Sequence, residues 1–449
     1  MSTKNLTEGS IMGNIASFAI PYMAAYFLQI LYGLADLFIV GQYCDVDSTT
    51  AVSNAAQVMY MLTVVVIGLA MGTTVRIGRA VGAKDERQVS RIIGSTFVFF
   101  LTLSIVLCIV LFLLRSQIVL LINTPVEAIS EATDYLTITF IGIPFIVCYN
   151  IIASIFRGMG DSRTPMYLIG LTCVENILLD YLFIGYYDMG AMGAAMGTTI
   201  SQMCSVIISV LVIRNHRSIM NVSRKDFRWD GKTISEMLKI GVPVALQDGF
   251  IQVAFLTITV IANSRGLYDA AAVGIVEKSI GLIFIIPSAM LSTVSTISAQ
   301  NIGAKKMDRA KKTLKYALLV TMTYGIVIGI VLQFVPEPLV RLFTNNEQVI
   351  HAGGEYLRGY AWDATLAGMH FCFSGFFTAL GLSIISFSHN VASIVLVRIP
   401  LSYWTCITFP TTLYPMGLAI PAGSLLSVII CVVVYWYLFK KGRFESEKA

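Results

Sequence analysis

Long apolar runs alternate with short polar segments along the whole chain, and this pattern predicts membrane-spanning helices. Runs of about 20 residues or more with few or no charges recur, and about 20 such residues are needed to cross a hydrocarbon core of roughly 30 Å. The pattern predicts twelve spans, at 11–43, 49–75, 92–114, 133–156, 164–187, 189–213, 238–262, 270–298, 316–336, 356–380, 384–410 and 413–439. The predicted fold class is therefore an all-α integral membrane protein with twelve transmembrane helices.

The positive charges give these predicted helices an orientation. Of the 31 lysines and arginines, 25 fall on one side of the membrane if both termini share that side, four fall on the other side and two lie within spans. Lysines and arginines in loops stay on the cytoplasmic side, so we predict a multi-pass protein of the plasma membrane with both termini in the cytoplasm. The net charge of +5 then reflects topology, and we expect contacts with membrane lipids but none with nucleic acid.

The two halves of the chain repeat one another at an offset of about 221 residues. The matching positions are Val81-Gly82-Ala83-Lys84 with Ile302-Gly303-Ala304-Lys305, Pro21 with Pro243, Tyr135-Leu136 with Tyr356-Leu357, and Gly160 with Gly381. Because six spans is an even number, both halves enter the membrane from the same side. We predict an N-terminal six-helix lobe at 1–213, a cytoplasmic linker at 214–236, a C-terminal six-helix lobe at 237–440 and a cytoplasmic tail at 441–449.

Acidic and amide side chains interrupt two of the predicted spans in the first half. Asp36 lies in the first span, and Asn176 and Asp180 share one face of the fifth because they are four residues apart. A charged side chain within a span costs at least about 2.5–3.5 kcal/mol on insertion scales, so such residues usually serve a function. If the polar faces of the first and fifth spans line a common cavity, they would form a site that gains and loses a cation. Separately, two parallel halves are typical of transporters that rock one helix bundle against the other.

Other functional classes lack support in the sequence. The chain is 56% hydrophobic and only 13% charged, whereas soluble domains carry about 25% charged residues. Its eight cysteines are scattered and show no paired or metal-ligand spacing. Metalloprotease, nucleophile-elbow and ATP-binding motifs do not occur in it. We therefore expect no enzyme activity, no bound cofactor and no direct use of ATP.

Several motifs together resemble one transporter family. They are Phe18-Ala19-Ile20-Pro21 and Tyr32-Gly33-Leu34-Ala35-Asp36-Leu37-Phe38-Ile39-Val40-Gly41 in the first span, Gly82-Ala83-Lys84 after the second, Phe156-Arg157-Gly158-Met159-Gly160-Asp161-Ser162-Arg163-Thr164-Pro165-Met166 before the fifth, and Gly193-Ala194-Ala195-Met196-Gly197-Thr198-Thr199-Ile200-Ser201-Gln202 in the sixth. In this order and with this duplication, the chain resembles the multidrug and toxic compound extrusion (MATE) family, and its bacterial branch most closely.

The resemblance implies a V-shaped protein of two six-helix lobes that exports organic cations and amphiphilic drugs in exchange for H⁺ or Na⁺. It places cation coupling at Asp36, Asn176 and Asp180, with Thr198 as a fourth ligand if the ion is Na⁺. It also implies that the first span bends near Pro21. The resemblance places Gln29 and Tyr32 in the substrate cavity, and we add Tyr149 and Asn150 as cavity candidates. Alternatively, the acids form a structural hydrogen-bonded cluster that never titrates.

The second half carries its own intramembrane charges, and these are secondary candidates together with Glu175. They are Asp248, Glu277, Asp363 and Arg398. Pairing is the normal fate of charges in a membrane, so a fixed ion pair such as Glu277 with Arg398 is one expectation. Asp363 is then the preferred acid for coupling or substrate contact in this half.

The alternative function is a flippase for lipid-linked precursors, which belongs to a related group of exporters. Its cavity would have to hold a pyrophosphate and should carry several inward-facing arginines, whereas only Lys278 and Arg398 are basic within the spans. The acidic candidates favour cationic or neutral substrates. Two fused halves already enclose a cavity, so we expect a monomer.

Overall fold

The computed structural model describes residues 5–215 and 222–442, and these residues form helices and turns with no β-strand. The predicted linker at 214–236 and the predicted tail at 441–449 lie partly outside the described residues. The all-α class predicted from the apolar pattern is confirmed.

The first half of the described chain contains seven α-helices. They are α1 Ile11–Tyr43, α2 Val46–Gly82, α3 Glu86–Leu121, α4 Ile129–Ile141, α5 Ile143–Gly158, α6 Arg163–Asp180 and α7 Gly190–Asn215. A π-helical segment, Tyr181–Tyr186, continues α6. Helix α3 begins where the Asp85 side chain accepts a hydrogen bond of 2.9 Å from the Gln88 N–H, which satisfies one of the free donors at the helix N-terminus.

The second half contains ten α-helices among the described residues. They are α8 Gly231–Asn263, α9 Leu267–Ile283, α10 Ile285–Gly303, α11 Met307–Phe334, α12 Glu337–Arg341, α13 Glu347–Tyr360, α14 Asp363–Ala379, α15 Ser383–Ser393, α16 Ile399–Thr408 and α17 Tyr414–Lys440. A second π-helical segment, Ile394–Arg398, joins α15 to α16.

Nine of the described helical segments are long and apolar enough to cross a membrane, and two bent pairs raise this number to eleven. Helices α4 and α5 bend by 50°, and α9 and α10 bend by 45°. Helix α5 restarts with Pro144 in its first turn, a position where the missing N–H does no harm. The predicted span at 356–380 corresponds to the end of α13 and to α14, which are separated at Ala361 and Trp362, and it is not among these eleven.

The described residues pack as two compact units. The first unit holds Ile20–Gly241, and the second holds Leu6–Ala19 together with the described residues from Val242 onward. These boundaries fall inside helices: α1 changes unit immediately before Ile20-Pro21, and α8 changes unit immediately before Val242-Pro243. The lobe boundaries at 213 and 237, at the two ends of the connection between the halves, remain a prediction.

The backbone has similar φ angles at positions that are paired by the sequence repeat. Lys84 and Lys305 both adopt left-handed φ angles, 57° and 59°, and Gly160 and Gly381 adopt 87° and 72°. A left-handed residue is a common way to end a helix. Equivalent helices in the two halves therefore stop in the same way, which supports the predicted internal repeat.

Glycines bring helix backbones into close contact within each unit. In the first unit, a methyl group on Gly72 of α2 would overlap the Met237 carbonyl of α8, and one on Gly241 would overlap the Leu69 carbonyl. In the second, a methyl group on Gly417 of α17 would overlap the Tyr356 carbonyl of α13. Such small residues are the usual means of tight helix packing in membranes.

Candidate functional site

Three polar residues that the sequence analysis selected come together inside the first unit. Asp36 on α1 is 5% exposed, and Asn176 and Asp180 on α6 are fully buried. The Asn176 amide donates a hydrogen bond of 3.3 Å to Asp180 Oδ1, as expected for residues four apart on one helix face. The Asp36 and Asp180 carboxyl groups are themselves in hydrogen-bonding contact. We call Asp36, Asn176 and Asp180 the acidic cluster.

The acidic cluster contains three buried oxygens that receive no hydrogen bond from the described residues: Asp36 Oδ1, Asn176 Oδ1 and Asp180 Oδ2. Ionised carboxylates only accept hydrogen bonds, so two of them in contact require a shared proton or a cation between them. Hard cations take carboxylate and amide oxygens as ligands. The arrangement can therefore accept a proton or a small cation.

Two tyrosines and a threonine surround the acidic cluster. Tyr32, one turn before Asp36 on α1, interacts with Asp36, Asp180 and the Thr198 side chain. Tyr135 on α4 is buried and interacts with Asp36, Tyr32 and Asp180. The sequence analysis selected Tyr32 and Thr198 but used Tyr135 only to align the repeat.

The other cavity candidates differ in exposure. Gln29 is exposed. Tyr149 is buried against Leu168 and Ile169, and the Asn150 amide donates to the Ile146 carbonyl of its own helix at 2.8 Å. Their role in substrate binding remains a prediction.

Glu175 and Pro21 lie outside the acidic cluster's direct contacts. Glu175 is half-buried on α6. Pro21 is buried within α1, two residues after Ala19, where that helix passes from one packing unit to the other. Proline lacks the N–H that a helix interior uses, so α1 is weakened at this crossing.

A set of ionisable side chains lies inside the second unit. The ion pair among them differs from the one expected from the sequence. Arg398 pairs with Asp363, with 3.5 Å between Nη2 and Oδ2, and donates to Ser424 Oγ at 3.2 Å. Glu277 instead accepts a hydrogen bond of 2.9 Å from the Thr259 hydroxyl. The expected ion pair exists, but Asp363 and not Glu277 forms it. Asp248, the remaining secondary candidate, is half-buried on α8.

A buried histidine also belongs to this unit's polar interior. His389 makes hydrogen bonds to Ser374 Oγ at 2.9 Å and to Ser427 Oγ at 3.2 Å, and the His370 ring lies 5.6 Å from the His389 ring between centroids. Both ring nitrogens of His389 are thus satisfied. This is the arrangement of a packing residue.

Comparison with known proteins identifies the family. The family model described as MatE matches residues 21–182 and again residues 243–404. The two matches begin at Pro21 and Pro243, cover most of the chain and follow the predicted repeat. The chain belongs to the MatE family.

Two bacterial proteins are similar to the chain over most of its length. A probable multidrug resistance protein, YoeA of Bacillus subtilis (strain 168), is 25% identical over 98% of this chain and 97% of its own length. The multidrug export protein MepA of Staphylococcus aureus (strain MSSA476) is 23% identical over 81% of this chain and 80% of its own length.

A solved structure gives the same fold. A multidrug resistance transporter of the MATE family, described as outward-facing, superposes with a TM-score of 0.91 at 20% identity over 100% of this chain and 99% of that one. The chain is therefore a multi-pass membrane protein of a transporter family, built on the MatE repeat.

Proposed function

We propose that this MatE-family protein is a secondary antiporter that exports organic cations and amphiphilic drugs in exchange for H⁺ or Na⁺ by alternating access. The observation that carries the proposal is the acidic cluster, in which Asp36, Asn176 and Asp180 each present a buried oxygen without a hydrogen-bond donor among the described residues. Such oxygens are costly to bury unless a ligand satisfies them.

The chemistry of the acidic cluster suits a reversible cation site. When a proton or Na⁺ binds, it neutralises the repulsion between two contacting carboxyl groups, and when it leaves, that repulsion returns. Thr198, beside Tyr32, supplies a further oxygen for Na⁺. An equilibrium that changes charge in this way can bias the conformation of the helices that carry these residues.

Helix α1 is the element through which this bias would act. It carries Asp36 and changes packing unit next to Pro21. We propose that α1 bends near Pro21 when the cation binds, so that cation entry and drug release are coupled. Pro21→Ala restores a helix hydrogen bond, and efflux by this variant at the wild-type rate would argue against the bend.

The substrate class follows from the sign of the buried charges. Organic cations carry a charge that carboxylates attract, and aromatic faces such as that of Tyr32 add cation–π attraction. A flippase for lipid-linked pyrophosphates needs unpaired positive charge, but Arg398 is paired with Asp363 and Lys278 is exposed. We therefore favour the antiporter, acting as a monomer in the plasma membrane with cytoplasmic termini.

The test is efflux of a fluorescent organic cation from proteoliposomes with a pH gradient and a Na⁺ gradient imposed separately. Wild type is compared with Asp36→Asn and with Asp134→Asn, which changes an exposed acid on α4. We expect one gradient to drive efflux in wild type and Asp134→Asn, and Asp36→Asn to bind the dye but lose coupled movement.

Two other outcomes would redirect the assignment. Normal coupled efflux by Asp36→Asn would move coupling to Asp248, Glu277 or Asp363. If neither gradient moves any cationic dye, the flippase becomes the better explanation, and translocation of a lipid-linked pyrophosphate would then be measured in the same vesicles.

A further inference from the structure

Asp180 packs directly against the backbone of α7 at Gly197. A methyl group added to Gly197 would overlap Asp180 Oδ1, and the next nearest atoms to it would be Asp180 Cγ at 3.3 Å and Asn176 Nδ2 at 3.5 Å. All three atoms belong to the acidic cluster. The glycine therefore contacts the cluster itself and not a neighbouring apolar side chain.

The surroundings of Asp180 leave its side chain little freedom to avoid such a methyl group. Asp180 is fully buried, it is hydrogen-bonded to Asn176, and the π-helical segment Tyr181–Tyr186 follows it directly. A side chain with two rotatable bonds in this position can yield only by rotating about them. Rotation would break the 3.3 Å hydrogen bond from Asn176 or change the contact with Asp36.

We propose that Gly197 is a positioning residue that sets the separation of the Asp36 and Asp180 carboxyl groups and thereby the cation affinity of the acidic cluster. This inference rests on the proposed antiport function. The absence of a side chain at 197 lets Asp180 lie against α7, which leaves room beside Asp36 for the coupling ion. A methyl group at 197 pushes the carboxyl group out of that position.

The direct test compares Gly197→Ala with Gly193→Ala. Gly193 lies one helical turn earlier on α7, and a methyl group there would also be tight, at 3.1 Å from Ile184 Cγ1 and from Met189 Cβ, but would not touch the acidic cluster. We expect Gly197→Ala to change the H⁺ or Na⁺ concentration for half-maximal efflux on the order of ten-fold or more, since misplacing a reacting group by about 1 Å can cost a hundred-fold. Gly193→Ala should leave that concentration unchanged.

A stability measurement separates positioning from damage to the fold. Both substitutions gain alanine's preference for a helix interior over glycine, and Gly197→Ala loses at most the hydrogen bond from Asn176 to Asp180, so the two variants should unfold thermally in detergent at similar temperatures. Its dye affinity in the absence of the coupling ion should match that of wild type. A general loss of stability and dye binding in Gly197→Ala would overturn the positioning role.

A double variant tests whether Gly197 acts through Asp180. In an Asp180→Ala background the clashing oxygen is gone and only alanine's helix preference remains, so Gly197→Ala should raise the unfolding temperature measured without the coupling ion by more than it does in wild type. An equal effect of Gly197→Ala in both backgrounds would overturn the inference. Failure of the antiport function is recognised separately, because neither a pH gradient nor a Na⁺ gradient would then drive dye efflux by the wild-type protein.

Discussion

Asp363 and Arg398 form an ion pair inside the second unit, with 3.5 Å between Asp363 Oδ2 and Arg398 Nη2. Asp363 is 1% exposed and Arg398 is 8% exposed. Removing one partner leaves the other charge buried, which typically costs about 3–5 kcal/mol, whereas replacing both with apolar residues is often neutral. We predict that Asp363→Leu or Arg398→Met lowers the free energy of unfolding by about this amount, and that the double variant is closer to wild type than either single variant.

An exposed pair in the same unit provides the control for this double-mutant cycle. Arg341 and Glu347 are 2.8 Å apart between Nη1 and Oε1, but their side chains are 49% and 72% exposed. Exposed pairs contribute roughly 0–1 kcal/mol. Chemical unfolding in detergent should give a much larger coupling energy for Asp363 with Arg398. Equal coupling energies for the two pairs would contradict the prediction.

Arg265 stabilises the turn before α17 through several hydrogen bonds of its guanidinium. Its guanidinium donates to Asp269 Oδ2 at 2.7 Å, to the Phe409 carbonyl at 2.8 Å and to the Pro410 carbonyl at 3.0 Å. A lysine ammonium cannot reproduce this planar geometry. We therefore expect Arg265→Lys to lower the free energy of unfolding by roughly 0.5–1.5 kcal/mol, because the exposed carbonyls of Phe409 and Pro410 lose their donors but can bind water instead.

The matched variant for Arg265→Lys is Asp269→Asn. It retains an acceptor for the guanidinium and leaves the bonds to the carbonyls of Phe409 and Pro410 in place. Protease susceptibility of the segment 409–412 is the readout, together with thermal unfolding. We expect faster cleavage in Arg265→Lys than in Asp269→Asn, and similar rates in the two variants would show that the carbonyl contacts do not hold the turn.

The fold and the acidic cluster could be predicted from the sequence for different physical reasons. The apolar runs fix which segments can span a membrane, and the spacing of Asn176 and Asp180 fixes their common helix face. Tyr135 was missed because a tyrosine in an apolar run looks the same whether it packs against side chains or reaches a carboxyl group. Only the packing of α4 in the first unit brings it to Asp36.

Two further features could not be read from one-dimensional patterns. The choice of Asp363 over Glu277 as the partner of Arg398 depends on how α14 meets the π-helical segment Ile394–Arg398. Helix α1 changes packing unit beside Pro21, in the middle of a continuous apolar run where composition does not change. Tertiary packing decides both features: the sequence contains no signal for the first and marks the second only by Pro21 and Pro243, which the repeat pairs.

Asp230, immediately before α8, gives a prediction about pH. It accepts hydrogen bonds from the Thr233 hydroxyl at 2.7 Å and the Lys232 N–H at 3.2 Å, and pairs with Arg91. The Thr233 hydrogen bond, followed by that from Arg91, lowers the pKa of Asp230 below its ordinary 3.8. A lowered pKa in the folded state contributes stability that is fully present above the unfolded pKa and is lost as the pH falls through the folded one.

We therefore expect Asp230→Ala to lower the free energy of unfolding by about 1 kcal/mol, the usual cost of losing a helix cap, and by the same amount at pH 8 and pH 5.5. The measurement is thermal unfolding in detergent across this range. Asp308→Asn, whose side chain is 81% exposed, serves as the control. A penalty for Asp230→Ala that fades between pH 7 and pH 5.5 would mean that the carboxyl group titrates well above the lowered pKa.

Tyr135 and Tyr356 occupy equivalent positions in the repeat, and each interacts electrostatically with ionisable groups of its own unit. Tyr135 interacts with Asp36 and Asp180, and Tyr356 interacts with Glu277, Arg398 and Asp363. If the coupling ion binds at the acidic cluster, Tyr135→Phe removes a hydroxyl beside that ion and Tyr356→Phe does not. The two variants are therefore matched in chemistry, in burial and in place in the fold.

We predict that Tyr135→Phe changes the cation concentration for half-maximal dye efflux by about five-fold or more, since losing a buried hydrogen-bonding group costs about 1–3 kcal/mol, and that Tyr356→Phe changes it less than two-fold. Dye binding without the ion should be the same in both variants. The reverse result would place the coupling ion beside Asp363 and Arg398. The Asp363–Arg398 pair would then have to open during transport, because a carboxylate engaged by a guanidinium is a poor ligand for a second cation.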